Sequence, residues 1–158
     1  MKLYVKQKFL SLIDRFTIID ENYDDAFVVE GEWFTLSKKL TIYNTYLEPV
    51  AYLKQQLFRM MAHVDVSLVN QQNFTLIKRF TILNQRYVIE GDSWHVEGDF
   101  FAHDYKVFDG DELVATISKA WLRLSDYYEV NVIDSKNGLK VLTVVLAIDI
   151  AMSSQNNM

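Results

Sequence analysis

Leu139-Lys140-Val141-Leu142-Thr143-Val144-Val145-Leu146-Ala147-Ile148-Asp149-Ile150-Ala151-Met152 is apolar at every position except Lys140, Thr143 and Asp149, and its reading decides the fold. Strands average about 5 or 6 residues, so a run of this length is expected to be a helix despite its β-branched content. Asp134 or Ser135 offers an N-cap ahead of it. A bilayer-spanning helix needs about 20 apolar residues, and residues 139–152 fall short of that. A helix with apolar side chains on almost every side has no face suited to water and must be enclosed by the rest of the chain.

The remainder reads as strands. Period-two alternation is visible in Phe16-Thr17-Ile18, Leu40-Thr41-Ile42-Tyr43, Val64-Asp65-Val66-Ser67-Leu68 and Tyr128-Glu129-Val130-Asn131-Val132. Turn-forming clusters fall between such runs, at residues 20–25, 44–49, 70–73, 90–92, 109–111 and 134–138, spaced for antiparallel hairpins. The sequence also repeats itself. Val29-Glu30-Gly31-Glu32-Trp33-Phe34 returns as Val96-Glu97-Gly98-Asp99-Phe100-Phe101, Val50-Ala51 with Arg59 and Val66 returns as Val114-Ala115 with Arg123 and Val130, and Phe9, Arg15, Phe16 and Ile18 return as Phe80, Arg86, Tyr87 and Ile89. Three blocks in one order predict two copies of a six-stranded unit, residues 4–70 and 74–134.

These parts fit together in one way. An eight-stranded barrel holds little more than its own side chains, whereas a helix is about 10 to 12 Å across, so enclosing one takes more strands. The expected fold is mainly β: an antiparallel barrel of about twelve strands, in two six-stranded halves, around a hydrophobic C-terminal helix over 139–152. The 158 residues form a single domain on this reading, and the one proline and five glycines leave no flexible linker.

The stretches Arg15-Phe16-Thr17-Ile18-Ile19-Asp20, Val28-Val29-Glu30-Gly31 to Phe34-Thr35-Leu36 and Lys39-Leu40-Thr41-Ile42-Tyr43, with the closing helix ending Ala147-Ile148-Asp149, resemble the LURP-one-related proteins. That family is similar in fold to the C-terminal domain of tubby, a twelve-stranded barrel threaded by a central hydrophobic helix, and to phospholipid scramblases. Tubby's domain binds phosphatidylinositol bisphosphate through cationic side chains, so the resemblance implies an anionic lipid ligand. It carries over no individual ligand residue.

Composition narrows the chemistry. The absence of cysteine excludes a disulfide framework, a thiol nucleophile and a thiolate zinc site. A formal net charge of -5 weighs against a domain that grips nucleic acid or an anionic membrane through its overall field, and leaves room only for a local basic patch. Met1 to Phe9 carries Lys2, Lys6 and Lys8 without an apolar run, unlike a secretory signal, and a cytoplasmic location is expected. The glycines make no phosphate or dinucleotide loop, and neither Gly-x-Ser-x-Gly nor His-Glu-x-x-His occurs, so no cofactor is expected.

Several residues stay in play. Lys38, Lys39, Lys78 and Arg79, with Lys6, Lys8 and Lys54, are candidates for a patch that binds an anionic lipid headgroup; the plainer reading of basic pairs on strands is a solvated edge. His95, Glu97, Asp99, His103 and Asp104 are the densest set of potential metal ligands, although Trp94 and Val96 on the opposite face make His95 and Glu97 read as the wet side of a strand. His63 reads as a surface residue. Trp33, Trp94 and Trp121 read as core rather than membrane anchors. Asp149, on an enclosed helix, should lie at the barrel mouth or meet an Arg, Lys or backbone donor. The function these features support is a non-enzymatic binding or scaffold module for an anionic lipid or a protein. The alternative is a metal-assisted or hydrolytic enzyme built on the His95 to Asp104 cluster.

Overall fold

The computed structural model describes residues 1–7, 15–32, 36–120 and 126–155. Its strands are β1 (Lys2–Lys6), β2 (Arg15–Asp20), β3 (Asp25–Glu32), β4 (Lys39–Tyr43), β5 (Pro49–Gln55), β6 (His63–Leu68), β7 (Phe74–Phe80), β8 (Gln85–Ile89), β9 (Trp94–Asp99), β10 (Asp104–Asp109), β11 (Glu112–Lys119) and β12 (Tyr127–Val132). A 3-10 turn (Ser135–Asn137) leads into α1 (Gly138–Gln155). Every strand pairs antiparallel with its neighbour in the chain, and β1 pairs with β12, so the sheet closes into a twelve-stranded barrel without a free edge.

Alternation sets what faces inward. Leu3 and Val5, Phe16 and Ile18, Leu40 and Ile42, Val64 and Val66, Tyr105 and Val107, and Tyr128 and Val130 are buried while residues between them are more exposed. The expected helix fills the space they surround: Val141, Leu142, Val144, Val145, Leu146, Ala147, Ile148 and Ile150 are all fully buried. Thr143 is buried too, and its hydroxyl is satisfied by donating to Lys140 O at 2.7 Å.

Two details depart from expectation. Asp134 caps the 3-10 turn, its Oδ1 accepting from Lys136 N at 3.1 Å, and α1 follows only after that turn. The helix also runs three residues past Met152, to Gln155, so residues 135–154 are long and apolar enough by composition to cross a membrane. Length does not exclude a span here. What fixes the helix in place is the barrel, which covers its sides.

The repeated Val-Glu-Gly blocks lie on β3 and β9, the third strand of each consecutive six. Gly31 pairs with Leu40, and Gly98 with Tyr105, each partner being the second residue of the following strand.

Because the strands form a meander, successive connections alternate between the two ends of the barrel. α1 starts at the end where β8 turns into β9, held there by Lys140 Nζ at 3.0 Å from Asp92 Oδ2. It finishes at the other end, where β4 begins and β5 stops.

Candidate functional site

The buried charged residues, Lys78 and Asp149, lie toward the end where α1 finishes. Asp149 is 6% exposed, and its Oδ2 accepts a hydrogen bond from the Tyr128 hydroxyl at 2.5 Å. His103 Nε2 lies 3.5 Å from Asp149 Oδ1, and the imidazole stacks on the Tyr128 ring at 4.3 Å between centroids. His103 reaches this position because the turn from β9 to β10 is tight. The Phe100 carbonyl accepts from His103 N, Asp99 Oδ1 accepts from Ala102 N, and His103 itself takes a left-handed φ of 50°.

Tyr87 and Tyr105 complete the surroundings, each against Phe100. Burial pushes the Tyr128, Tyr105 and Tyr87 phenols up from their ordinary values, and the negative charge of Asp149 adds to the shift. Tyr128 is therefore a neutral hydrogen-bond donor at physiological pH, not a base. The Tyr105 hydroxyl is buried without a hydrogen-bond partner among the described residues. Asp149 was expected to lie at the barrel mouth or to meet an arginine, a lysine or a backbone donor; it lies toward the end where α1 finishes, and the partners it meets there are a phenol and an imidazole.

Around the rim, β4 and β5 are tied to the last turn of α1. Lys38 Nζ donates to Ser153 Oγ at 2.6 Å, Gln55 Nε2 donates to Ser154 Oγ, and Ser37 Oγ donates to Gln55 O at 2.6 Å. Lys78 lies opposite Tyr87 in the β7–β8 ladder and is 2% exposed, with its Nζ 5.0 Å from the Phe80 ring centroid. Burial lowers both ammonium groups from the ordinary lysine range.

The other two proposed ligand residues face away. Lys39 points to Glu32 at 3.8 Å on the outer wall, and exposed Arg79 stands opposite Arg86, which reaches Glu97 at 3.8 Å. The four cations therefore do not form one patch. Period two divides each adjacent pair, sending Lys38 and Lys78 to the mouth and Lys39 and Arg79 to the wall. Lys54 neighbours Lys39 on that wall, beside a cleft of about 400 Å³ that Gln56 and Asp65 also line. Lys8, Trp33 and Trp121 lie outside the described residues.

The histidine-rich segment is likewise divided. His95 stacks on Phe108 on the outer face and sits 3.7 Å from Glu97, whereas His103 turns inward to Asp149. Among the described residues no three His, Asp or Glu side chains converge at metal-binding separation. His63, read from sequence as a surface residue, is half-buried, with Nδ1 2.8 Å from Met61 O. Trp94 is core, 5% exposed, and the Lys140 ammonium lies 4.1 Å from its ring centroid.

An X-ray structure of an Arabidopsis thaliana protein shares this fold, with a TM-score of 0.59 and 17% sequence identity, over 94% of this chain and 90% of the other. Across 152 residues the chain is 24% identical to the uncharacterised protein YxjI of Bacillus subtilis (strain 168), covering 96% of this chain and 94% of that one. The profile of the LURP-one-related proteins matches residues 1–149. With the closed barrel and its central helix, that match over nearly the whole length places the chain in the LURP-one-related family.

Proposed function

We propose that this domain is a non-enzymatic binding module for anionic ligands of the lipid-headgroup type. The observation that carries the reading is Lys38. Its ammonium is half-buried at the mouth of the barrel and donates to a neutral hydroxyl, Ser153 Oγ, a partner that brings no opposite charge to this partly desolvated place. A phosphate arriving there would gain a charge-assisted hydrogen bond and offset the desolvation. The lumen supports the same direction of approach. Barrels that hold a small ligand keep it inside, and here α1 occupies that volume, which directs ligand binding to the rim and the outer surface.

The test is sedimentation of the full chain with phosphatidylcholine vesicles, with and without phosphatidylserine or a phosphoinositide. Binding that requires the anionic lipid, weakens in salt and falls at least about tenfold in Lys38→Glu supports the reading. Lys39→Glu, on the outer wall, should leave it within about twofold. No binding to any anionic vesicle would overturn it.

A further inference from the structure

We infer that the domain docks on an anionic membrane through one arc of its rim, from β4 to β8, with the apolar tips of three connections entering the lipid. This rests on the anionic-lipid reading and adds an orientation to it. At the end where α1 finishes, the segment before β4 exposes Leu36, the β5–β6 connection exposes Phe58 and Met60, and the β7–β8 connection exposes Ile82 and Leu83. Phe58, Met60 and Ile82 are completely exposed. Side chains of this size standing clear of the fold contribute nothing to its core, and together they make the kind of apolar surface that marks a binding face.

Charge identifies the occupant. Residues 36–38, 56–62 and 78–85 carry no carboxylate, although the chain as a whole is acidic; they present half-buried Lys38 at the mouth, exposed Arg59, and exposed Arg79 on the adjoining wall, while Lys78 is buried. Arg59 sits between Phe58 and Met60, and Arg79 is followed by Phe80, which is 60% exposed. The opposite end also exposes Tyr46 and Leu47, but among Asp20, Glu21, Asp24, Asp25 and Glu48, with Glu90, Asp109 and Asp111 on its other turns. Among the described residues the acids nearest the docking arc are engaged: Glu32, the last residue of β3, lies 3.8 Å from Lys39, and Asp65 accepts from Gln56 Nε2 at 2.8 Å; Asp99, Asp104 and Asp126 belong to the arc from β9 to β12.

The molecule is therefore electrically polarised along the barrel axis. A negative surface attracts the arc from β4 to β8 and repels the opposite end. Apolar tips interleaved with cations suit a bilayer, which offers hydrocarbon and phosphate at two fixed depths. A protein partner would have to supply acids between several separate pockets.

The chain has no cysteine, so single labels can be placed cleanly. Ile82→Cys and, at the far end, Leu47→Cys are each coupled to a polarity-sensitive fluorophore and mixed with phosphatidylserine-containing vesicles. The expected result is a blue shift at position 82 and none at position 47. Phe58→Ser combined with Ile82→Ser should weaken sedimentation about tenfold or more with an unchanged thermal melt, since neither side chain packs in the core.

Sedimentation with no shift at 82, or a shift at 47, would overturn the docking arc and leave lipid binding standing. Failure to sediment with any anionic vesicle would overturn both. Equal binding to vesicles with and without phosphatidylserine would also overturn the inference, because the cations would then have no role.

Discussion

Tyr128 donates its hydroxyl hydrogen to Asp149 across 2.5 Å, joining the strand that closes the barrel to the helix that fills it. The bond accounts for a carboxylate on the most apolar segment of the chain. An ionised Asp149 without partners would be costly at that depth, and the phenol together with His103 at 3.5 Å supplies what water would otherwise provide. Tyr105, in the same cluster, has a buried hydroxyl that donates to nothing among the described residues.

These two tyrosines should respond oppositely to the same change. Tyr128→Phe strips a donor from a buried carboxylate and is expected to cost about 1.5 to 3 kcal/mol. Tyr105→Phe removes a hydroxyl that was dehydrated without compensation, and should be neutral or stabilising. Urea unfolding of both variants at one pH checks the order. Equal losses would mean that Tyr105 has a partner and that the cluster is arranged differently.

Gly98 offers a test of the backbone. Its φ is 141°, and a Cβ there would lie 2.6 Å from Asp104 O and 2.6 Å from Tyr105 Cα, both main-chain atoms that cannot swing aside. Gly98→Ala should cost several times more than Gly91→Ala, where φ is 72° and the space is open, so that the latter loses only about 1 to 2 kcal/mol to the left-handed backbone. Thermal melts of the two variants measure the difference, at about 2 to 4 °C per kcal/mol for a domain of this size.

The architecture was legible because two signals are strong in this chain. Alternation in segments such as Val64 to Leu68 marks strands one by one, and the unbroken apolar run after Leu139 demands a sheath that only a large closed sheet can supply. The sites were less legible. Adjacent cations such as Lys38 and Lys39 look like one patch in sequence, yet the strand sends them to opposite sides. His103 and Asp149 are far apart in the chain, and their meeting depends on a turn that places His103 in the left-handed region, which no local pattern announces. The polarity of the barrel became visible only once the alternating connections were assigned to ends. Exposed Phe58, Met60 and Ile82 resemble core residues in sequence.

The contact between Asp92 and Lys140 should give the domain a defined acid response. Burial alone would raise the Asp92 carboxyl, but the Lys140 ammonium at 3.0 Å and the Trp94 and Ser93 amides more than offset this, and its value is lowered below 3.8. A carboxyl with a depressed folded-state value binds fewer protons than in the unfolded chain, so its stabilisation is complete above pH 3.8 and is lost as the pH falls through the folded value. Asp92→Asn should therefore be less stable than the parent at pH 7, and the gap should narrow below 3.8. A gap independent of pH would assign the loss to geometry alone.

The helix offers the most demanding test. Nearly every residue from Val141 to Ala151 is fully buried against the inner face of the sheet, so the barrel without α1 would be a shell around an empty lumen. A single buried Leu→Ala change costs about 2 to 5 kcal/mol against a total of about 5 to 15, and removing all of α1 after Gly138 takes away many such side chains at once. Collapse of the shell cannot compensate, because twelve strands closed by the β1–β12 ladder fix its girth. A chain ending at Gly138 should therefore be insoluble or unfolded. Leu146→Asp should behave the same way, since it sets an unpaired carboxylate at a fully buried position. Gln71→Asp, in the exposed β6–β7 turn, is the control that should be tolerated. The measurement is soluble yield together with a thermal melt. A truncated chain that stays soluble and melts cooperatively near the parent temperature would show that the sheet carries its own core and that α1 is only docked on it.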